Sequence, residues 1–174
     1  MEAVTRLALD ARSGDERAIA AFVEATQQDV WRLCSLLGRK GQADDLVQET
    51  YLRTMRALRS FKGDSSAKTW LLSIARRVCA DDLRRSYRSH RLLERLVFDT
   101  PTMSHHHDPT SSGVDALVAS LEPERREAFV LTQVVGLSYE EAAEAAGCPV
   151  GTIRSRVARA RAELAEALRR AEAI

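Results

Sequence analysis

Arginine, serine and threonine on one face of a predicted helix, rather than a catalytic pair or a metal cluster, are the residues of this chain best spaced for chemistry. Between Val150 and about Arg170 the residues Ile153, Val157, Ala160, Leu164 and Leu168 fall on one apolar stripe at helical spacing. Thr152, Ser155, Arg156, Arg159 and Ala162 fall opposite, with Arg154 and Ala158 beside them. Arginine bonds guanine edges bidentately or takes phosphate, Ser and Thr bond bases or phosphates, and small alanines let a helix approach a groove closely. That chemistry is DNA recognition.

The residues that must position this face lie just upstream. Ser138-Tyr139-Glu140-Glu141 is a capping box, in which Ser138 accepts from the backbone at Glu141 and Glu141 reaches back. A short helix therefore starts there, runs to Ala146 and stops at Gly147. Cys148 and Pro149 follow, and proline suits the first turn of the next helix. Two helices across a tight glycine turn, the second rich in arginine, predict a helix-turn-helix. Glu140, Glu141 and Glu144 keep the first helix off phosphate, so the second should enter the groove.

Two further surfaces lie in the first half of the chain. A predicted helix over about 67–88 has Leu71, Ile74, Ala75 and Val78 as core, while Trp70, Ser73, Arg77 and Arg84 line another side, with Arg76 and Arg85 on its flanks. Tryptophan among arginines suits unstacked bases held against a ring and phosphates held against cations. The alternative is that Trp70 packs inward under the polar loop Phe61-Lys62-Gly63-Asp64-Ser65-Ser66. A predicted helix over about 43–59 buries Ala43, Val47, Tyr51, Thr54 and Leu58. Its opposite face sets Asp45, Gln48, Glu49 and Arg56 around Leu52, an apolar centre with a polar rim as in a partner surface. Ahead of it, Ile19, Phe22, Val23, Thr26, Val30, Leu33 and Leu37 mark a long amphipathic helix ending near Gly38.

No alternating strand pattern or repeat occurs, and the expected fold is all-α. Residues 1–92 and 114–174 are expected to form two small helical domains, joined by a linker over 93–113. The Pro-, Ser- and Thr-rich stretch of that linker, 96–113, spans on the order of 60 Å when fully extended. That approaches two turns of duplex at ~34 Å each, so both domains could hold one DNA. The net charge of +1 over 174 residues hides segregation. Residues 62–95 carry nine basic and four acidic residues (+5), 96–149 two and nine (−7), and 150–174 six and three (+3). Two separated basic blocks point to two contacts with a polyanion. The +5 and −7 blocks would also attract each other, folding the free chain over its own DNA surfaces.

Other functions lack their residues. There is no P-loop, metal-ligand helix, nucleophile elbow or Cys–His pair, so no catalytic residue, cofactor or small-molecule substrate is expected. The three cysteines, Cys34, Cys79 and Cys148, are far apart and suit buried or half-buried thiols in a reducing cytoplasm. No signal peptide or membrane span is read, which implies a cytoplasmic protein without membrane insertion. His105 and His107 of the run His105-His106-His107-Asp108 could share an ion, but an exposed polar tract is the simpler reading and no metal is expected.

Three motifs in order resemble bacterial sigma factors. Asp44-Asp45-Leu46-Val47-Gln48-Glu49-Thr50-Tyr51-Leu52-Arg53 resembles the polymerase-binding helix of region 2. Thr69-Trp70-Leu71-Leu72-Ser73-Ile74-Ala75-Arg76-Arg77 resembles the −10 element helix, and Pro149 to Arg161 the −35 recognition helix of region 4. With no counterpart of an acidic N-terminal region or a middle domain, the layout resembles the extracytoplasmic-function (ECF) group. The resemblance implies a transcription initiation factor that brings core RNA polymerase to −10 and −35 promoter elements and aids melting. Asp45, Gln48, Glu49, Leu52 and Arg53 would meet the clamp helices of the polymerase's largest subunit. The segment around Phe129 and Val130 would dock its flap. Phe61, Asp64, Ser65 and Lys68 of the loop would receive a flipped base, with Trp70, Ser73, Arg76, Arg77 and Arg84 clamping the strand. Thr152, Arg154, Ser155, Arg156 and Arg159 would sit in the −35 groove. An anti-sigma protein is the further partner it implies. Arg76-Arg77 departs from the pattern, because many relatives carry a small or apolar residue followed by Asn there. The competing reading is a helix-turn-helix regulator that acts without polymerase, which leaves the region 2 motifs idle.

Overall fold

The computed structural model describes residues 2–96 and 113–172, with side chains through Arg91 and again from Gly113 to Ala171. Eight helices, and no strand among the described residues, run in the order α1 (Ala3–Ala11), α2 (Glu16–Leu37), α3 (Ala43–Leu58), α4 (Ala67–Leu96), α5 (Gly113–Ser120), α6 (Pro123–Phe129), α7 (Tyr139–Ala146) and α8 (Val150–Glu172). A π-type turn, Val130–Val134, continues α6, with the Val135 N–H reaching back to the Val130 carbonyl at 3.0 Å. The histidine run and most of the expected linker lie outside the described residues. Helix α4 continues through Leu96, past the predicted end near 88.

Each start and stop has a local cause. The Asp15 carboxylate accepts from the Arg17 and Ala18 amides at 2.7 and 3.1 Å and begins α2. The capping box forms as read, with Glu141 N–H to Ser138 Oγ at 3.1 Å and Ser138 N–H to Glu141 Oε2 at 2.9 Å. Gly147 closes α7 in the left-handed region at φ 68°, where a side chain would strain the backbone.

In the N-terminal half the core packs α1, α2, α3 and α4 around Phe22, Val30, Leu33, Leu71, Leu72 and Val78, all fully buried. The observed stripe on α3 is Leu46, Thr50, Thr54 and Leu58; Thr54 and Leu58 are as predicted, while Leu46 and Thr50 take the places of Val47 and Tyr51, which with Ala43 are half-buried. Two threonines can be buried there because each hydroxyl donates back to the carbonyl four residues earlier, Thr50 to Leu46 and Thr54 to Thr50, both at 2.7 Å. Tyr51 stays at the rim, where its hydroxyl lies 2.8 Å from Thr26 Oγ1. Cys34 and Cys79 meet across α2 and α4. The contact with Cys34, together with burial, keeps the Cys79 thiol protonated far above the usual range.

In the C-terminal helices Ala128, Val130, Leu131, Ala142, Ile153, Val157 and Ala160 are all fully buried, and all but Ala160 belong to one buried cluster with the N-terminal residues. This burial confirms the inner stripe of α8 as far as Ala160; beyond it Leu164 is half-buried and Leu168 exposed. The expected flap contact around Phe129 and Val130 needs correction at Val130, which is fully buried and has no surface to offer.

Candidate nucleic-acid and polymerase interfaces

On α8, Arg154, Ser155 and Arg159 are exposed on the face opposite Ile153 and Val157, and Thr152 is half-buried. Arg156 is turned toward its own domain, where its Nη2 lies 2.5 Å from Glu124 Oε2 of α6. Arg154 approaches Glu140 of α7 loosely, at 3.7 Å between two exposed groups, a geometry worth little in water. Two members of the predicted five are therefore held to different degrees by acids of the same domain, and Arg159 meets none among the described residues. Arg161, which faces aside, donates to Gln133 Oε1 at 2.6 Å.

On α3, Asp45, Gln48 and Leu52 form a continuous exposed strip, and Leu52 shows 48 % of its surface. Glu49 and Arg53 belong to a different arrangement. Arg53 bonds Glu49 at 2.7 Å and Asp81 of α4 at 2.8 Å, and Asp81 in turn holds Arg84 at 2.6 Å. The sequence reading gave Arg53 to polymerase and Arg84 to DNA; folding links both through one carboxylate. Arg53 and Arg84 hold Asp81 below the usual carboxylate range. Trp31 was not foreseen. It stands beside this strip on α2, 49 % exposed, with its indole N–H 3.2 Å from Asp44.

The loop before α4 and the first turns of α4 form the third surface. Phe61 is buried, its ring 4.7 Å from that of Trp70 at 34°. The inward alternative for Trp70 is thus the observed one, with the indole half-buried under the loop, and Phe61 supports that loop from beneath. Asp64 is exposed and Ser65 half-buried. Lys68 is paired with Asp29 of α2 at 2.8 Å, and the Ser73 hydroxyl bonds the Trp70 carbonyl at 2.7 Å. Arg77 is exposed and pairs with no acid among the described residues. The anchors of this loop were invisible in the sequence. Thr5 of α1 accepts from the Ala67 amide at 3.0 Å, and Ser66 donates to Glu2 at 2.8 Å. No local pattern marks residues more than sixty positions away as caps of α4.

These surfaces are not independent. Helix α7 packs on α4, and α2 meets α5, α6 and the π turn. Arg76 of α4 is paired with Glu127 of α6 at 2.8 Å, and Thr69, 1 % exposed, donates to Glu141 at 3.3 Å. Hydrogen bonds from the Ser138 backbone and side chain and from Thr69, with the nearby Lys68 charge, keep Glu141 ionised below the usual glutamate range. The expected attraction between the basic and acidic blocks is realised through these residues. It engages Arg76 and Thr69 of α4 and leaves Arg77 and the outer face of α8 exposed.

Comparison with known proteins agrees with this arrangement. The family profile for Sigma-70 region 2 matches residues 22–89, and that for Sigma-70, region 4 matches residues 112–164. The ECF RNA polymerase sigma factor SigC of Mycobacterium tuberculosis is 51% identical over 166 residues, covering 92% of this chain and 88% of that protein. The ECF RNA polymerase sigma-E factor of Escherichia coli K12 is 34% identical over 166 residues, 86% of each. Among solved structures, CnrH in complex with the cytosolic domain of CnrY superposes with TM-score 0.73 at 28% identity, over 96% of this chain and 97% of that one. The sigma factor RpoE of Bartonella quintana, in complex with the anti-sigma factor NepR, gives TM-score 0.71 at 30% identity over 84% and 94%. Both halves thus match one family in its order, and the chain belongs to the RNA polymerase sigma factors of the sigma-70 family, in their ECF group.

Proposed function

We propose that this sigma factor binds core RNA polymerase through the Asp45–Gln48–Leu52 strip, presents α8 to the −35 element, and holds the opening −10 strand between the 61–68 loop and α4. The observation that carries this reading is the separation of three chemically distinct exposed surfaces. They are an apolar residue in a polar strip on α3, a cationic face on α8, and a loop braced over Trp70 beside Arg77. The α8 face matches groove recognition, and the α3 strip matches a protein contact. Base flipping costs a few kcal/mol, which capture of the splayed base in a preformed site would offset, so the factor needs no catalytic group of its own. No helix among the described residues is long and apolar enough to cross a membrane, in keeping with work in the cytoplasm beside polymerase. An anti-sigma protein is a fitting regulator, since the similar sigma factor RpoE of Bartonella quintana has been solved in complex with the anti-sigma factor NepR. The deciding experiment is run-off transcription. Core polymerase plus this chain should start at defined sites, and a chain that neither associates with core nor directs it anywhere refutes the reading.

The closed arrangement belongs to the unbound state in this reading. With Arg76 on Glu127 and Thr69 on Glu141, part of the −10 surface is tied to the C-terminal helices until polymerase separates the domains, whereas Arg77 and the −35 helix remain exposed. Small-angle scattering of the free protein at low salt should give a radius of gyration near the ~16 Å expected for a compact chain of this length. Glu127→Arg, which sets like charges against each other, should enlarge it. An extended wild-type chain would rule the closed state out.

A further inference from the structure

Among its described side chains, helix α4 buries none beyond Cys79. From Leu83 to Arg91 every side chain is exposed except the half-buried Ser86. The segment Leu83-Arg84-Arg85-Ser86-Tyr87-Arg88-Ser89-His90-Arg91 holds four arginines and no acid. Among the described residues only the first is engaged by a close ion pair, Arg84 with Asp81. Asp82 is taken by Arg39 through two bonds of 2.7 and 2.8 Å, so Arg85 acts on it only through space. Arg88 pairs with nothing among the described residues. Arg91 lies over the exposed Tyr87 ring at 5.9 Å, a contact that steadies its guanidinium while leaving the N–H donors outward.

We infer that Arg85, Arg88 and Arg91 form a phosphate-binding arm that lies on the duplex between the −10 and −35 elements, a site separate from the strand-capturing surface. This rests on the sigma factor reading above. At 1.5 Å rise per residue the three arginines lie about 22–32 Å along the helix from Trp70, or roughly seven to nine base pairs. The side is set by chain direction. Helix α4 leads from the strand-opening loop toward the segment that ends in the −35 domain, so its far end points over DNA that is still paired. Arginines lining one face of a solvated helix, without Asn or Gln to read adenine edges, suit backbone phosphate rather than base sequence.

The test compares wild-type holoenzyme with holoenzyme carrying R85A/R88A/R91A. Alanine preserves the helix, and association with core polymerase, measured separately, should not change. Two promoter fragments pre-opened over the −10 element serve as probes, one with the upstream duplex intact and one ending directly upstream of that element. On the long fragment the triple variant should bind on the order of tenfold more weakly, with a salt dependence less steep by about two to three. On the short fragment the two proteins should bind alike. R85K/R88K/R91K should restore the slope, because charge rather than fork geometry is required. Equal weakening on both fragments would place the arginines on the melted strand, and no weakening on either would leave them idle; each result overturns the proposal. If wild-type holoenzyme binds neither fragment, the sigma factor reading itself has failed, an outcome distinct from both.

Discussion

Alanine at both Arg154 and Arg159 is expected to lower initiation from a −35-dependent promoter by at least about thirtyfold, with association to core polymerase unchanged. A bidentate arginine–base contact is worth about 1–3 kcal/mol of discrimination. Two lost contacts therefore amount to about 2 kcal/mol or more, at 1.4 kcal/mol per factor of ten. Both side chains are exposed and lie outside the core, so the helix should remain folded. Arg156→Ala is expected to cost less, because Glu124 already holds that guanidinium at 2.5 Å and DNA must compete for it. Run-off transcription on matched promoters with and without a −35 element measures all three. Normal initiation by the double variant would remove α8 from the groove. An Arg156→Ala loss as large as the loss from Arg154→Ala would mean that the Glu124 pair opens on DNA.

Leu52→Glu is expected to weaken binding to core polymerase by at least about thirtyfold, the scale of a central interface residue worth 2 kcal/mol or more. The change places an unpaired carboxylate where an apolar contact is proposed, beside Asp45. Because Leu52 is 48 % exposed and the packing of α3 rests on Leu46, Thr50, Thr54 and Leu58, the melting temperature should hardly move. Arg53→Ala makes the contrast. It removes the link from Glu49 to Asp81, so its main effect should be on the docking of α3 against α4. Affinity measurements and thermal unfolding on both variants separate the two roles. A Leu52→Glu chain that is folded and binds core polymerase normally would relocate the interface.

Much of this molecule was legible in local pattern. The capping box at Ser138, the stop at Gly147 and the stripe from Ile153 to Ala160 are short-range features, and the helix-turn-helix formed where they place it. Half of the α3 stripe, Thr54 and Leu58, was read correctly, whereas Leu46 and Thr50 were passed over for their neighbours Val47 and Tyr51, since either pair continues the helical spacing. Helical threonine satisfies its hydroxyl on the carbonyl one turn back, which makes Thr50 cheap to bury. Helix α1 was missed in the sequence reading; no side-chain cap at Glu2 marks its start. Its contribution is made to residues far along the chain, at Ala67 through Thr5.

The sequence by itself determined the all-α class, the helices α2, α3, α4, α7 and α8, the segregation of charge and the family, since these depend on composition and on spacings of three, four and seven residues. Tertiary structure alone decided which charged groups are at liberty. Arg76, Arg53 and Arg156 read alike as exposed cations, yet each is held by a carboxylate 28 to 51 positions away. Arg77, Arg154 and Arg159 are exposed and without a tight pair. The reason is physical: an ion pair needs a few ångströms of separation in space, and no spacing along one helix specifies what another helix will bring against it.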